Sequence, residues 1–479
     1  MNVSAVDLAI LVAYMAGMVA LGSWLGRGAR DVAEYAVGSR DLPWWLILFS
    51  IIATETSAVT FLSIPGFAFE RDFTWIQIAL GFLIGRFAVA FLLLPQYFRG
   101  TLFTSYEVLH RRFGGATKQT ASVLFILTRS LADGLRLFLS ALVLQEMTGI
   151  SIPWAVTALG ITTIVYTYLG GMRAVLWTDL IQFFLYLIGA LIALGAILTR
   201  LPGGWDQLIA MGQEAGKLRA FDLTLDPSEP YGLWAGLVGG SFIALGSHGV
   251  DQLMVQRYLS ARGLPAARRA VWVSGLVAVG QFALFLLIGV GLWAFYQLDP
   301  PAMPFDRPDR VFARFILDEL PTGMVGLLLG AIFAAAMTSS LNSCATVAVN
   351  DLYLSGREAS PEKQLRLTRI LTAIFGVIQI AVGIAGQWLR SSIVSSVLGI
   401  AAFTTGIVLG VFFLGMYTRR VGQRAALAGL VAGLAGMTWI HFATPLAWPW
   451  YALAGALLTV AAGLVASVIN RETAARTIG

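Results

Sequence analysis

Three groups of side chains in this sequence have types and spacings suited to binding ligands. The first is Ala53-Thr54-Glu55-Thr56-Ser57, a polar island in the apolar stretch PWWLILFSIIATETSAVTFLSIPGFAF (43–69), followed by Thr60 and Ser63. A carboxylate at mid-bilayer depth costs roughly 2.5–3.5 kcal/mol or more, so Glu55 needs a counter-ion, a proton or water. The hydroxyls and Pro65-Gly66 point to a helix that breaks there. Unwound backbone frees carbonyl oxygens, which with hydroxyls suit a hard monovalent cation. The second group is GLLLGAIFAAAMTSSLNSCATVAVNDLY, where Ala334-Ala335-Ala336 leads into Thr338, Ser339, Ser340, Asn342, Ser343 and Thr346. Small residues admit a neighbouring helix, and hydroxyls at i, i+3 and i+4 line one face. A lone Ser would bond its own i−4 carbonyl; a cluster this dense reads as a site. The third is Asp179 in AVLWTDLIQFF, a functional candidate by its depth, with capping beside Arg173 as the plainer role.

The elements that must position these groups are membrane spans. The chain is 58% hydrophobic and only 12% charged, too apolar for a soluble enzyme. About 20 apolar residues cross a bilayer as a helix, and such stretches recur near 5–25, 42–69, 73–98, 119–147, 152–168, 175–199, 232–254, 270–296, 322–350, 368–389, 392–416, 423–443 and 448–469. The sequence therefore predicts an all-α polytopic membrane protein of about 13 transmembrane helices. The residues before Ala9 hold an acid and no Lys or Arg, so the first span reads as retained rather than as a cleaved signal. With the N-terminus outside, inner loops take about 21 of the 32 Lys+Arg residues and outer loops about 8. This predicts an outer N-terminus and a cytoplasmic C-terminus in the cell (inner or plasma) membrane. The +6 charge then reflects topology, not nucleic-acid binding. One cysteine, Cys344, and three histidines speak against a disulfide or a metal cluster.

After the first span and its inner loop (1–41), two groups of five spans follow, at 42–199 and 232–417. An outer loop (200–231) lies between them, and two peripheral spans with an inner tail (418–479) close the chain. An odd-numbered group repeated in sequence must be inverted, and inverted repeats that each open on a broken helix are a common transporter architecture. Span seven, GLVGGSFIALGSHGVDQ, carries Gly239-Gly240, Gly246 and Gly249 around Ser247 and His248, where that symmetry wants a break. Gly429, Gly433 and Gly436 read as close helix packing.

Six segments now carry a resemblance: SIIATETSAVTFLSIPG, RLFLSALVL (136–144), GGMRAVLWTDLIQ (170–182), DQLMVQRYL, AIFAAAMTSSLNS (331–343) and NDLY (350–353). Together and in order they resemble the sodium:solute symporter family. The resemblance implies a LeuT-like 5+5 inverted-repeat core and co-transported Na+, with no organic cofactor. It implies a sodium site formed by the carbonyls of Ala53, Thr56 and Ala335 and the hydroxyls of Thr338 and Ser339. A second sodium, present in some members, would use Asp179 and hydroxyls such as that of Ser340. The chain departs from the family pattern by about three missing residues, less than a helical turn, between the AAA run and LNS. Anchoring on AIFAAA gives the assignment above. Anchoring on LNS and NDLY moves Thr338 and Ser339 to the second site, with Ala335 and Ala336 where hydroxyls belong. The first anchor has the longer identity; on it the second site loses most of its hydroxyls, and Asp179 gates or pairs instead.

By the same resemblance the solute sits beside sodium at mid-membrane. Glu55, Ser57 and Thr60 face it, Gln77 reaches it from the next span, and Ser247 and His248 stand where sugar-transporting members carry aromatic residues. Asp133 and Arg136, three apart on span four, share a face with Arg129. Glu55, Asp133 and Arg136 read either as internal salt bridges or as contacts to a charged solute, an amino acid or organic acid. The predicted function is sodium-coupled symport of a small polar organic solute (sugar, amino acid or organic acid) by alternating access, with a single chain in the lipid bilayer as the functional unit. The rivals are proton coupling on the same fold, a transporter-derived sensor, and a polytopic membrane enzyme. No nucleophile-base pair supports the last.

Overall fold

A computed structural model describes residues 4–26, 35, 38, 40–56, 58–100, 102–301, 305, 307–336, 340–355, 359–389 and 393–470. The principal helices, in chain order, are α1 (Ala5–Gly26), α2 (Trp44–Glu55), α3 (Ala58–Glu70), α4 (Ile76–Ala88), α5 (Gly115–Thr148), α6 (Ile152–Leu169), α7 (Gly171–Arg200) and α8 (Gly240–Gly249). They continue as α9 (Gln252–Leu259), α10 (Leu264–Leu298), α11 (Met324–Ala336), α12 (Ser340–Val347), α13 (Pro361–Ala385), α14 (Ile393–Tyr417), α15 (Gln423–Ala443) and α16 (Tyr451–Asn470).

Among the described residues, nine helices are long and apolar enough to cross a membrane, or ten with the bent pair α2–α3 counted as one span. The other three expected spans also fold as helix. Two of them carry charge or a break: α5 holds Arg129, Asp133 and Arg136, and α8–α9 is divided at Val250-Asp251, while α11 and α12 flank residues 337–339, which lie outside the described residues. Each group of five thus opens on an interrupted helix, α2–α3 in the first and α8–α9 in the second. Leu42 at the start of α2 exchanges backbone hydrogen bonds with Ser260 (3.2 Å) and Arg262 (3.2 Å) just past α9, so the two interrupted helices are tied at one end.

The break in span seven falls at Val250-Asp251, after the last of the glycines. Val250 leaves the helix at φ −127°, and Asp251 then caps α9 by accepting from the Leu253 amide. The glycines before it serve packing instead. A methyl at Gly81 on α4 would stand 2.1 Å from the Gly236 carbonyl oxygen, and one at Gly240 would stand 3.3 Å from the Gly81 Cα, so α4 and α8 cross backbone on backbone. Gly429 does the same against the Thr459 carbonyl on α16, and Gly433 makes room for the Thr459 side chain. Gly171, at φ +63°, makes the turn between α6 and α7, a conformation that favours glycine. Asp7 fastens α1 to the rest: its carboxylate accepts from the amides of Gly323 (2.7 Å) and Gly326 (2.8 Å) at the start of α11, where negative charge is favoured.

Candidate functional site

The local sequence explains the first break. Thr54, Thr56 and Thr60 have hydroxyls that compete for backbone partners, and Pro65 removes an amide from α3. Helix α2 ends at Glu55, Thr56 takes φ −76°, ψ 68°, and α3 leaves at 56° to α2. Thr60 donates to the freed carbonyl of Glu55 at 2.9 Å, and Thr56 donates to Gln281 Oε1 on α10 at 2.8 Å. Ala53 lies in the last turn of α2, whose terminal carbonyls lack intrahelical partners and form the negative end of the helix dipole, and Ala335 lies on α11 just before residues 337–339, outside the described residues. Helix α11 packs beside α3. Ser57, Thr338 and Ser339, the remaining residues expected around sodium and solute, lie outside the described residues.

Beside the break is a cavity open at its mouth, lined mainly by apolar side chains with a few polar groups, the makeup of a small-molecule site. Thr54, Glu55, Thr60, Arg129, Arg136, Ser247 and His248 supply its polar wall, and Phe82, Phe282, Trp75 and aliphatic side chains the larger apolar part. The charged groups form three pairs. Glu55 is paired with Arg86, which is completely buried on α4 and also donates to Ser274 Oγ at 3.0 Å. Arg129 reaches Asp251 at 2.6 Å, and Arg136 reaches Asp133 at 3.0 Å. A second contact, Arg129 to Asp133 at 3.7 Å, links the last two pairs. On the wall itself stand two guanidiniums and one carboxylate, while Asp133, Asp251 and Arg86 lie behind it. Ser247 Oγ lies 3.0 Å from His248 Nδ1, and the buried His248 Nε2 has no partner among the described residues.

Other candidates are held elsewhere. Gln77, expected to reach the solute, is not on the cavity wall. Its amide donates to the carbonyls of Tyr231 (2.7 Å) and Thr74 (3.3 Å) and accepts from the Asp222 amide (3.2 Å), so it clasps the loop between the two repeats. Asp222 itself is held below the usual carboxylate range by hydrogen bonds from the Thr224 hydroxyl and amide. Asp179 meets Arg257 Nη2 at 3.0 Å and accepts from Ser50 Oγ at 2.5 Å, while Arg257 Nε donates to the same hydroxyl at 2.9 Å. Ser340 accepts from Gln379 Nε2 at 3.3 Å. Asp179 and Ser340, the expected pair of the second sodium site, thus have separate partners. Arg257 is buried on α9. Sequence reasoning missed Arg86 and Arg257 as ion-pair partners. The available signal was an arginine inside an apolar span, which requires a counter-ion.

The family described as "Sodium:solute symporter family" matches residues 35–433. The sodium/sialic acid symporter NanT of Aliivibrio fischeri is 29% identical over 95% of this chain and 91% of its own length. The human sodium/iodide cotransporter is 29% identical over 94% of this chain and 72% of its own. Bovine sodium-coupled monocarboxylate transporter 2 is 30% identical over 85% and 67%. In structure, a Na+-coupled sialic acid symporter in a substrate-bound outward-open state superposes with a TM-score of 0.91 over all of both chains at 24% identity, and this likeness carries the LeuT-like fold. The match spans both interrupted helices and all three ion pairs: the chain belongs to the sodium:solute symporter family, a multi-pass transporter that couples sodium to a small polar solute.

Proposed function

We propose that the solute is an organic anion whose carboxylate docks on Arg136 and Arg129 and whose body is largely apolar. The observation that carries this is the makeup of the cavity wall, two guanidiniums set among mainly apolar side chains. Arginine recognises carboxylates through paired, charge-assisted hydrogen bonds. Burying a polyol against Phe82, Phe282 and Leu253 would strand its hydroxyls. The relatives' printed substrates, sialic acid, iodide and monocarboxylates, are anions in neutral water, which supports the sign of the charge. The apolar wall favours a monocarboxylate over a sugar acid. Glu55 stays with Arg86 and shapes the opposite wall, and His248 Nε2 and Thr60 offer the solute its remaining hydrogen bonds.

Sodium takes the carbonyls of Ala53, Thr56 and Ala335 with the hydroxyls of Thr338 and Ser339, at the negative end of α2 where α11 packs beside α3. Asp179 serves as partner to Arg257 and Ser50 across α7, α9 and α2 rather than as a sodium ligand. The chain works as a single copy in the lipid bilayer of the cell (inner or plasma) membrane, with its N-terminus outside and C-terminus inside, and with 42–199 and 232–417 as its two repeats. Sodium entering from outside orders the break, the solute closes the outer path, and both leave on the other side.

Arg136→Gln tests the anion reading. The loss of one charge-assisted bond, about 1.5–3 kcal/mol, should raise the KM for sodium-driven uptake of a competing monocarboxylate about 10- to 100-fold. Uptake competition across monocarboxylates, sugars and amino acids in proteoliposomes would read this out. Competition by neutral sugars alone, with KM unmoved in the variant, would overturn it.

A further inference from the structure

Behind Arg136, away from the main cavity, lies a second and much smaller space. It is enclosed by Asp133 and Leu137 on α5, Gly160 and Thr163 on α6, Leu341 on α12, and Gly376 and Gln379 on α13. Its wall is mainly polar where the main cavity's is mainly apolar, and it has room for about one water-sized guest. Asp133 is 4% exposed. Its Oδ1 faces Arg136 at 3.0 Å and Arg129 at 3.7 Å, but its Oδ2 is buried without a hydrogen-bond partner among the described residues. A buried carboxylate oxygen left unmatched is costly, and such an atom calls for a ligand. Two more oxygen-bearing side chains border the same space. Thr163 spends its proton on the Leu159 carbonyl at 2.9 Å, so its oxygen can only accept in that space. Gln379 commits its Nε2 to Ser340 Oγ and has its carbonyl as the acceptor end.

We propose that this space is a second monovalent cation site, taking Na+ on Asp133 Oδ2, Thr163 Oγ1 and the Gln379 side-chain carbonyl. Every group named there is an oxygen acceptor, the donor chemistry of a hard cation. Charge bookkeeping ties the site to transport. Arg129, Arg136, Asp133 and Asp251 sum to zero. A solute carboxylate on Arg136 makes the buried cluster −1, a sodium behind Asp133 alone makes it +1, and both together restore neutrality. Each ligand therefore favours the other, which is coupling by definition. This linkage, though not the site itself, rests on the carboxylate reading above. The site replaces the expected Asp179–Ser340 pair as the place for a second ion. It also lies next to the expected common site, since Gln379 bonds Ser340, the residue after Ser339 in the chain.

Equilibrium binding of 22Na+ to the purified full-length protein tests it, titrated alone and with propionate. The wild type should bind two sodium ions per chain. Thr163→Val, isosteric and off the wall of the main cavity, should weaken one of them 10-fold or more and leave the other unchanged. Thr163→Ser, which keeps the hydroxyl, should bind like the wild type and so exclude a folding defect as the cause. One ion per chain in the wild type, or identical isotherms for wild type and Thr163→Val, would overturn the proposal and leave the space as a water pocket. Propionate should tighten the weaker sodium in the wild type and not in Thr163→Val. Two ions that ignore every carboxylate would leave the cation site standing and refute the solute reading, so the two failures are distinguishable.

Discussion

At the scale of single residues, the decisive contacts are ion pairs closed over long sequence distances. Glu55 is the clearest case. Arg86 is fully buried, and removing its partner leaves an uncompensated charge, a loss of about 3–5 kcal/mol. Glu55→Gln should therefore lower the thermal unfolding midpoint in detergent markedly, and adding Arg86→Met should restore most of it. A midpoint that does not move in the single variant would show that the pair is not what holds Glu55 in place. The need for a partner was legible in the sequence, because a carboxylate flanked by apolar segments has few alternatives. The partner's identity was not. Arg86 lies 31 positions along the chain, Asp179 and Arg257 are 78 apart, and Arg129 and Asp251 are 122 apart. Helical spacing reaches only i+3 and i+4, so within this cluster it exposes Asp133 with Arg136 and Arg129 but not Asp251. Gln77 shows the converse: its type suited a solute, but the carbonyl of Tyr231 claimed it.

At the scale of elements, the two breaks are supported differently, although symmetry makes them counterparts. The first is closed locally by Thr60 and by Gln281 on α10. The second is held from outside by the segment after α4: Tyr97 OH donates to the Gly249 carbonyl at 2.5 Å, Ser105 Oγ donates to the Val250 carbonyl at 3.1 Å, and Gln252 exchanges hydrogen bonds with the backbone of Phe103 and Ser105. That segment is thus a latch on α8–α9. Tyr97→Phe removes one hydrogen bond, about 1 kcal/mol, and should shift the balance toward the state open on this face about 5-fold. A cysteine placed at Met254, on the cavity wall just past the break, should then react about 5-fold faster with a reagent applied from that face. Equal rates with and without Tyr97→Phe would remove the latch from the mechanism. The existence of both breaks was readable from polar and glycine-rich interruptions in apolar runs. The exact place of the second was not, because glycine marks close packing as readily as unwinding, and here Gly239 and Gly240 pack while Val250 and Asp251 turn.

At the scale of the whole molecule, charge per cycle links the site to the driving force. A monocarboxylate carries one negative charge. With only the common sodium the loaded transporter moves no net charge, and membrane potential leaves the accumulation ratio untouched. With a second sodium behind Asp133 each cycle carries one positive charge inward, worth about 2.3 kcal/mol at 100 mV, roughly a 50-fold gradient. The fold gives this charge a protected route: Arg129, Arg136, Asp133 and Asp251 are each paired within one buried cluster on α5 and at the head of α9. Proteoliposomes loaded with potassium and treated with valinomycin set the potential directly. Under equal sodium on both sides and 100 mV inside-negative, the wild type should accumulate the transported carboxylate up to about 50-fold, the thermodynamic ceiling for one net charge. Thr163→Val, reduced to one coupled sodium, should show no accumulation under the same potential while still concentrating solute when a sodium gradient is imposed. A wild type indifferent to potential would mean one sodium per anion. A variant as sensitive to potential as the wild type would place the second charge somewhere other than Asp133.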